Sequence, residues 1–402
     1  MYEGPRIVLC LEGSPPVTGK RYYFDRLRCN LCGAKFEAYD INGIKNLPKY
    51  ADNVKTAIAI SRYYMGIPFK RLETIQSNQE VPLPDATQWD LIVELYDVAK
   101  FIFCYLEVLA ANGDIIYEDD TTNRIREQIP MVVNGKLRKG CYTSAFISMV
   151  EDKRIYLFYT SHRYAGENLE LILTNRTSSS PLITMSDASR NNMPKTMPEE
   201  LFTKWVMCFC LSHGRRKFFE CFNQFEQECD LVLEIISEVY KNERHCKKEG
   251  YDSKKRLQYH QEHSMDLMNS LKAWFNNQLI MMKTEDNSAL GDSIRYMLKH
   301  WQALTQFLHV AGAPIDNNIC EQAIKVAIRH RRNSLFYKTP KGAKVGDCLM
   351  SILHTAAQNG ANIYDYLDAL QQYAEQVKGS PPDWLPWNYQ ATIAQLNQKI
   401  AA

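Results

Sequence analysis

Ile115-Ile116-Tyr117-Glu118-Asp119-Asp120 begins apolar and ends in three consecutive carboxylates. A second run, Pro181-Leu182-Ile183-Thr184-Met185-Ser186-Asp187, ends the same way. Short apolar runs bounded by polar residues read as buried strands, so Asp119 and Asp187 are expected at strand ends. A third carboxylate, Glu321, is expected one turn into a helix that opens at Asp316-Asn317-Asn318. Two strand ends and a helix can converge at one edge of a sheet. Converging carboxylates repel one another and bind divalent cations, and an oxygen-only set suits Mg²⁺ or Mn²⁺. Two such ions about 4 Å apart can activate a water and stabilise the leaving oxygen in phosphodiester cleavage. The three carboxylates therefore point to metal-dependent chemistry on nucleic acid.

Around them the pattern sorts into segments. Residues 113–119 form one β run, and 141–150 and 154–159 flank a polar turn, Glu151-Asp152-Lys153, as a hairpin. Residues 166–173 read as a helix, followed by the strand ending at Asp187. Strand, hairpin, helix, strand is the order expected of a ribonuclease-H-like sheet, so the fold class is α/β. That core occupies 113–198. Upstream, 1–47 is a small zinc-knuckle-like β segment, with runs at 6–11 and 21–24 and the turn Cys29-Asn30-Leu31-Cys32-Gly33. Residues 48–112 are helical, with 53–65 and 68–77 separated by Gly66 and a longer helix over 85–111; the arrangement fits a helix-turn-helix and DNA binding. Downstream, 199–311 reads as a helical insertion, amphipathic at Leu231, Leu233, Ile235, Ile236 and Val239 and polar over 241–255. The Glu321 helix and a basic, Gly342-containing loop fill 312–345. The tail, 346–402, carries one amphipathic helix near 364–377 and an aromatic-proline segment around Trp384 expected to pack back.

Composition narrows the class. Lys and Arg number 48 and Asp and Glu 46, so the net charge is +2 and any nucleic-acid site must come from local clustering. The 12 cysteines are scattered, mostly in apolar segments such as those of Cys104, Cys208, Cys221 and Cys348, and read as reduced, buried thiols of a cytoplasmic protein. No apolar run approaches the ~20 residues that span a bilayer, so no membrane partner is expected.

Each candidate site has a plain alternative. Asp119 with its neighbours could be a solvated acidic turn, and Asp187 could cap the turn that follows it. Asp120 is expected to orient Asp119 or the metal's waters. Glu321 could pair with Lys325 on a helix surface. With Asp316 as N-cap, however, Ile319, Ala323 and Val326 make a buried face, while Glu321, Lys325 and Arg332 lie along another. His213, Arg215, Arg216 and Lys217 form a basic block that is either a solvated patch or a phosphate contact; His213 could also be a ligand, an acid/base group or a core histidine. Arg329, Arg332 and Lys338 extend the basic surface. Cys29 and Cys32 have zinc spacing, but zinc takes four ligands and Cys10 is the only other thiol nearby.

Taken in order, several of these segments carry a resemblance. Arg28-Cys29-Asn30-Leu31-Cys32-Gly33, Gly66-Ile67-Pro68-Phe69-Lys70-Arg71-Leu72-Glu73, Asp119-Asp120-Thr121, Ala165-Gly166-Glu167-Asn168, Leu211-Ser212-His213-Gly214-Arg215-Arg216-Lys217-Phe218 and Pro314-Ile315-Asp316-Asn317-Asn318-Ile319-Cys320-Glu321 resemble, block by block, transposases of the insertion-sequence-66 family. The resemblance implies an Asp-Asp-Glu triad on a ribonuclease-H-like fold, carried over here as Asp119, Asp187 and Glu321. It implies Mg²⁺- or Mn²⁺-dependent cleavage and strand transfer at the ends of a bacterial insertion sequence. DNA would be the partner, bound by a homo-oligomer on paired ends with accessory proteins of the same element. Relatives usually carry a longer upstream segment, so Met1 reads as a late start. They often carry two cysteine pairs where one is complete here, which leaves structural Zn²⁺ at Cys29 and Cys32 open. Two other readings stand beside this one: an inactive DNA-binding remnant, and a ribonuclease-H-like nuclease without strand transfer.

Overall fold

The computed structural model describes residues 16–40, 43–197, 199–201, 203–281, 284–285 and 287–401, so the run at 6–11 and Cys10 lie outside the described residues. The chain divides into two compact units, Met1–Phe101 with Ala361–Ala402, and Ile102–Gly360.

The first unit opens with a two-stranded hairpin, β1 (Arg26–Arg28) against β2 (Lys35–Glu37). The bond from the Cys29 amide to the Ala34 carbonyl sets this register, so pairing starts at Arg26 and the expected strand at 21–24 does not form. Three helices follow as the periodicity predicts. α1 (Asp52–Ala59) runs on into a π-helical turn, Ile60–Tyr64, and stops at Gly66, whose φ of 82° favours glycine. α2 (Phe69–Asn78) follows Pro68, and α3 (Asp85–Ala111), whose residues from Ile102 on belong to the second unit, follows Pro84. The tail is more broken than one helix: Ile363–Gln372, Ala374–Gly379 and Tyr389–Ala401 are separate. Trp384 is buried as expected. Its ring stacks on Tyr373 at 5.0 Å and its carbonyl accepts the Tyr366 hydroxyl at 2.9 Å.

The second unit is built on a mixed sheet. Its strands are β3 (Ile115–Asn123), β6 (Cys141–Val150), β7 (Lys153–Ser161), β8 (Leu182–Ser186) and β9 (Trp205–Phe209), in the order β7-β6-β3-β8-β9. A small hairpin, β4 (Met131–Val133) with β5 (Lys136–Arg138), interrupts the chain between β3 and β6. The first three strands of the sheet are antiparallel; β8 and β9 run parallel to β3. β9 lies at the start of the stretch that reads as helical insertion; its five apolar residues run straight into a helix without alternation, so 205–211 reads equally as a strand or a helix.

Asp119 is not at a strand end. β6 keeps pairing with β3 out to Asn123, and Asp119 sits opposite Ala145. Pairing with the parallel partner β8 stops at Met185, opposite Tyr117, and Asp187 directly follows the last residue of β8, Ser186. Asp119 therefore stands just past the mouth between two parallel strands, the position where open α/β sheets present their ligand-binding groups.

Helices cover both faces. On one, α4 (Ala165–Leu173) is tied by Asn168 Nδ2 donating to Ser144 Oγ at 2.9 Å. After β9 come α5 (Leu211–Cys221), α6 (Glu226–Lys248), α7 (Ser253–His263), α8 (Met265–Ile280), α9 (Ala289–Lys299) and the short α10 (Trp301–Leu304). All of these except α7 contribute to a core that includes Phe218, Val232, Ile236, Val239, Leu271, Phe275 and Met297. The buried stripe of α6 is Cys229, Val232, Ile236, Val239, Glu243 and Cys246, so Leu231, expected on it, is exposed. α6 also continues to Lys248, through half of the stretch that reads as a polar segment.

On the opposite face, α11 (Asn318–Ser334) crosses the sheet with Arg331 donating to the hydroxyls of Thr121 and Thr122 and to the Thr122 carbonyl. α12 (Pro340–Gln358) takes in the expected basic loop. The Gly342 amide donates to the Thr339 side chain as its N-cap, so Lys341 and Lys344 lie on a helix. This helix closes the free edge of β7. Asp347, Ser351 and Thr355, spaced four apart, and Asn359 just beyond accept the amides of Thr160, Phe158, Tyr156 and Arg154 in turn. Cys208, Cys221 and Cys348 are buried as expected, but Cys104 is exposed. Ile102, Leu106 and Ala110 carry the buried stripe of α3, and Cys104 falls between its turns.

Candidate metal centre and basic cleft

Three elements bring the carboxylates together: β3 supplies Asp119, the exit of β8 supplies Asp187, and the first turn of α11 supplies Glu321. Asp119 is largely buried, and its carboxyl is pushed up to about 7 by burial first and then by the charges of Asp187, Asp120 and Glu321. The amide of Asp120, donating at 2.8 Å, offsets part of this. No lysine or arginine forms an ion pair with Asp119 or Asp187 among the described residues. The charge on these two carboxylates is thus not neutralised by a direct ion pair, a role that a divalent cation would fill.

Several oxygens there lack a partner. Glu118 is buried with its carboxyl pushed well up by burial and by Asp187, Asp120 and Asp119, and its Oε2 accepts nothing. Glu321 Oε1 and Asp120 Oδ2 are likewise buried and without a hydrogen bond. The donor set of Asp119, Asp187 and Glu321 fits a hard, oxygen-seeking ion. Their oxygens do not all lie within 4.8 Å of one another, a closeness that among the described residues belongs to Cys210, His213 and Glu321.

The supports are specific. Asp187 Oδ1 accepts the Ser189 amide at 2.9 Å and Asn192 Nδ2 at 2.6 Å. Asn192 sits in a 3₁₀ turn, Arg190–Asn192, braced from behind by α4. A Cβ on Gly166 would stand 2.4 Å from the Met193 carbonyl, so the Ala165-Gly166-Glu167-Asn168 block allows that close approach. Glu167 makes no contact with the centre; it holds β5 through a two-pronged pair with Arg138 at 2.5 and 2.6 Å. Asp120 lies on the α4 side of β3, where the Ala165 amide bears on its carboxylate, and its own amide donates to Asp119 Oδ1.

Asn317, not Asp316, is the residue at the N-cap of α11. Its Nδ2 donates to the Glu118 carbonyl at 2.9 Å, and its amide donates to Cys210 Sγ at 3.3 Å. Asp316 supports the turn from outside, accepting the Asn318 amide at 3.2 Å. Asn317 therefore pins the Glu321 helix to both β3 and the end of β9. Asn317→Ala should cost about 1–3 kcal/mol, because a buried carbonyl loses its donor. Urea unfolding would show a lower midpoint at unchanged slope; an unchanged midpoint would mean the tether carries no weight.

The basic block lies on α5. His213, Arg216 and Lys217 line a cleft of ≈ 320 Å³ together with Asp187, Ser189, Glu220 and Tyr296. Lys217 Nζ sits 4.5 Å from the centre of the Tyr296 ring. Arg215 is exposed, as are Lys325, Arg329, Arg332 and Lys338. The Glu321–Lys325 pair does not form; Glu321 Oε1 faces His213 Nδ1 instead, at 3.7 Å. Ile319 is half-buried, while Cys320, Ala323, Ile324, Val326 and Ala327 make the buried face of α11, so the expected division of its faces holds near Glu321.

Cys29 is half-buried and Cys32 exposed in the β1–β2 turn. The amides of Cys32 and Leu31 hold the Cys29 thiol below its ordinary value. Among the described residues no third ligand stands beside them.

Comparison with known proteins places this arrangement. A model of the family described as "Transposase IS66 family" matches residues 50–345. Three curated relatives come from Sinorhizobium fredii (strain NBRC 101917 / NGR234). Uncharacterized protein y4jD is 32% identical over 46% of this chain and 36% of its own length. Uncharacterized protein y4hP is 23% identical over 85% of this chain and 63% of its own, and uncharacterized protein y4qI is 26% identical over 83% and 61%. The chain thus spans between about a third and under two thirds of these relatives. No helix among the described residues is long and apolar enough to cross a membrane. The family model covers the sheet, all three carboxylates and the basic block, and the chain belongs to the IS66 family of transposases.

Proposed function

We propose that this chain is the catalytic part of a DNA transposase that cleaves the ends of its insertion sequence and joins them to target DNA. The observation that carries the reading is that Asp119 feels the charges of Asp187 and Glu321, brought to it by two other elements, while no lysine or arginine forms an ion pair with Asp119 or Asp187 among the described residues. The sheet order, with β3, β6, β7, β8 and β9 arranged third-second-first-fourth-fifth, supports a ribonuclease-H-like core. Mg²⁺ or Mn²⁺, when bound, would activate the attacking oxygen and stabilise the leaving one. Asp119 would hold ions from the middle of β3, Asp187 from the exit of β8, and Glu321 from α11.

Arg216 and Lys217, beside Asp187 in the cleft, would take the scissile phosphate through charge-assisted hydrogen bonds. Arg215, Lys325, Arg329, Arg332 and Lys338 would track the backbone on either side, with His213 at the junction. Contacts of this kind make binding fall steeply with salt. Pairing of two DNA ends would require at least two copies of the chain, and accessory proteins of the same element would complete the assembly.

The test is nicking of DNA carrying the element ends in Mg²⁺ or Mn²⁺, comparing the wild type with Glu321→Gln. Metal-dependent nicking that falls at least a hundredfold in the variant, with DNA binding kept, is the expected result. Equal nicking by both would remove Glu321 from the chemistry. DNA binding with no nicking by either would favour a DNA-binding remnant, and nicking without joining would favour a simple nuclease.

A further inference from the structure

Beside the three carboxylates stands a different donor set. Cys210 is the N-cap residue of α5 and His213 lies in its first turn, a spacing of three that puts both on one face of the helix. Glu321 approaches from the first turn of α11. One donor atom from each of Cys210, His213 and Glu321 lies within 4.8 Å of the other two. His213 Nδ1 and Glu321 Oε1 face one another at 3.7 Å, too far for a hydrogen bond, and both atoms are buried with no other partner. Two unpartnered buried atoms aimed at one point are an arrangement that costs stability unless something sits between them.

We propose that Cys210 Sγ, His213 Nδ1 and Glu321 Oε1 form a binding site for a thiophilic divalent cation of the zinc type, which competes with the catalytic ions for Glu321. Zinc bonds of 2.0–2.3 Å in a tetrahedron put the ligand atoms about 3.3–3.6 Å apart. The 3.7 Å gap needs to close by only a few tenths of an ångström. A sulfur and an imidazole select zinc-like ions over Mg²⁺, which takes oxygen. The fourth position would open toward the cleft that His213 lines with Asp187 and Arg216.

The sulfur is already prepared. Cys210 Sγ accepts the Asn317 amide at 3.3 Å, a support that would carry over to the thiolate. Burial pushes the free thiol up to about 11, so it keeps its proton until a metal displaces it. Binding would replace the S–H bond with a sulfur–metal bond and release that proton to solvent, without oxidation or reduction. Glu321 cannot serve both sets of ligands at once. The site stands on geometry alone, while its inhibitory effect rests on the transposase reading.

Cobalt(II) is the probe, because a thiolate on cobalt gives a sulfur-to-metal charge-transfer absorption that oxygen ligands do not. It would be titrated into the full chain carrying Cys29→Ser and Cys32→Ser, which removes the sulfurs of the β1–β2 turn. The expected result is one equivalent with that absorption, bleached by zinc, lost in Cys210→Ser and in His213→Gln, and retained in Asp119→Asn. No absorption from the folded protein, or absorption unchanged in Cys210→Ser, would overturn the site. Absorption lost in Asp119→Asn would overturn it as well, by assigning the metal to the carboxylates. In a nicking assay with Mg²⁺, zinc should inhibit the parent, and Cys210→Ser should need at least tenfold more zinc for the same inhibition; equal sensitivity would overturn the competition. A chain that shows the absorption but never nicks would support the site and sink the transposase reading.

Discussion

Asp119→Asn should raise the melting temperature and abolish nicking in the same protein. The folded carboxyl titrates near 7 and the unfolded one near 3.8. Between those values the folded chain holds a proton that the unfolded chain has released, so stability falls as pH rises through the window. Above pH 7 the full penalty is present, on the order of 4 kcal/mol before water penetration reduces it. Asparagine keeps the size and can accept the Asp120 amide, but carries no charge to bury. The variant should therefore gain about 1–4 kcal/mol at pH 8 and little at pH 4. Asp347, also pushed to about 7 by burial, titrates in the same range. The difference between variant and wild type isolates Asp119 from it. Mg²⁺ should stabilise the wild type by occupying the site and stabilise the variant less. Thermal melts at the two pH values, with and without Mg²⁺, check this. A variant that melts lower than wild type at pH 8 would show that Asp119 stabilises the fold and is not a strained ligand.

The second large effect lies away from the centre. Glu243 on α6 is buried and accepts Arg256 Nε at 2.7 Å and His260 Nε2 at 3.0 Å, both from α7. Burial opposes its ionisation, but the hydrogen bond from His260 and the charge of Arg256 outweigh burial and hold the carboxyl down at about 2. Arg256 also donates to the Ala313 carbonyl at 2.9 Å, so the cluster reaches the segment that leads into α11. Glu243→Ala leaves a buried guanidinium without its carboxylate and should cost about 3–5 kcal/mol. Because the folded pKa is depressed, the stability that Glu243 contributes is present above about 4.5 and is lost as pH falls toward 2. Denaturant unfolding at pH 7 and pH 3 should show the wild-type advantage shrink at the lower value. A loss below 1 kcal/mol at pH 7 would mean that the cluster is already solvated.

The candidate site was readable where local pattern governs and unreadable where distant contacts do. Asp187 and Glu321 follow patterns of five to eight residues, an apolar run that stops and a helix that starts, and the structure places both as expected. Asp119 reads from the sequence as a strand end, but the strand continues past it to Asn123. Its position depends on where β8 stops pairing, which no local feature of β3 records. Asn317 reads only as part of a helix start, because its partners, Cys210 and the Glu118 carbonyl, are 107 and 199 residues away. Cys210 gave no signal, being one thiol among twelve. Asn192 gave none either, as its loop has no periodicity. The fifth strand stays ambiguous in the sequence, where 205–211 reads as a strand or a helix, because Trp205–Phe209 is apolar throughout and runs straight into α5.

The closure of β7 by α12 has a consequence for synthesis of the chain. The amide of Thr160 waits for Asp347, 187 residues later, and that of Arg154 for Asn359, 205 residues later. At about 5–20 residues per second, translation leaves this strand uncovered for roughly 10 to 40 s. During that time two nascent chains on one message could pair their bare edges. A ribosome pausing within the helices between β9 and α11 would lengthen the interval, so the yield of folded protein should respond to translation speed there as well as to the stability of the finished fold.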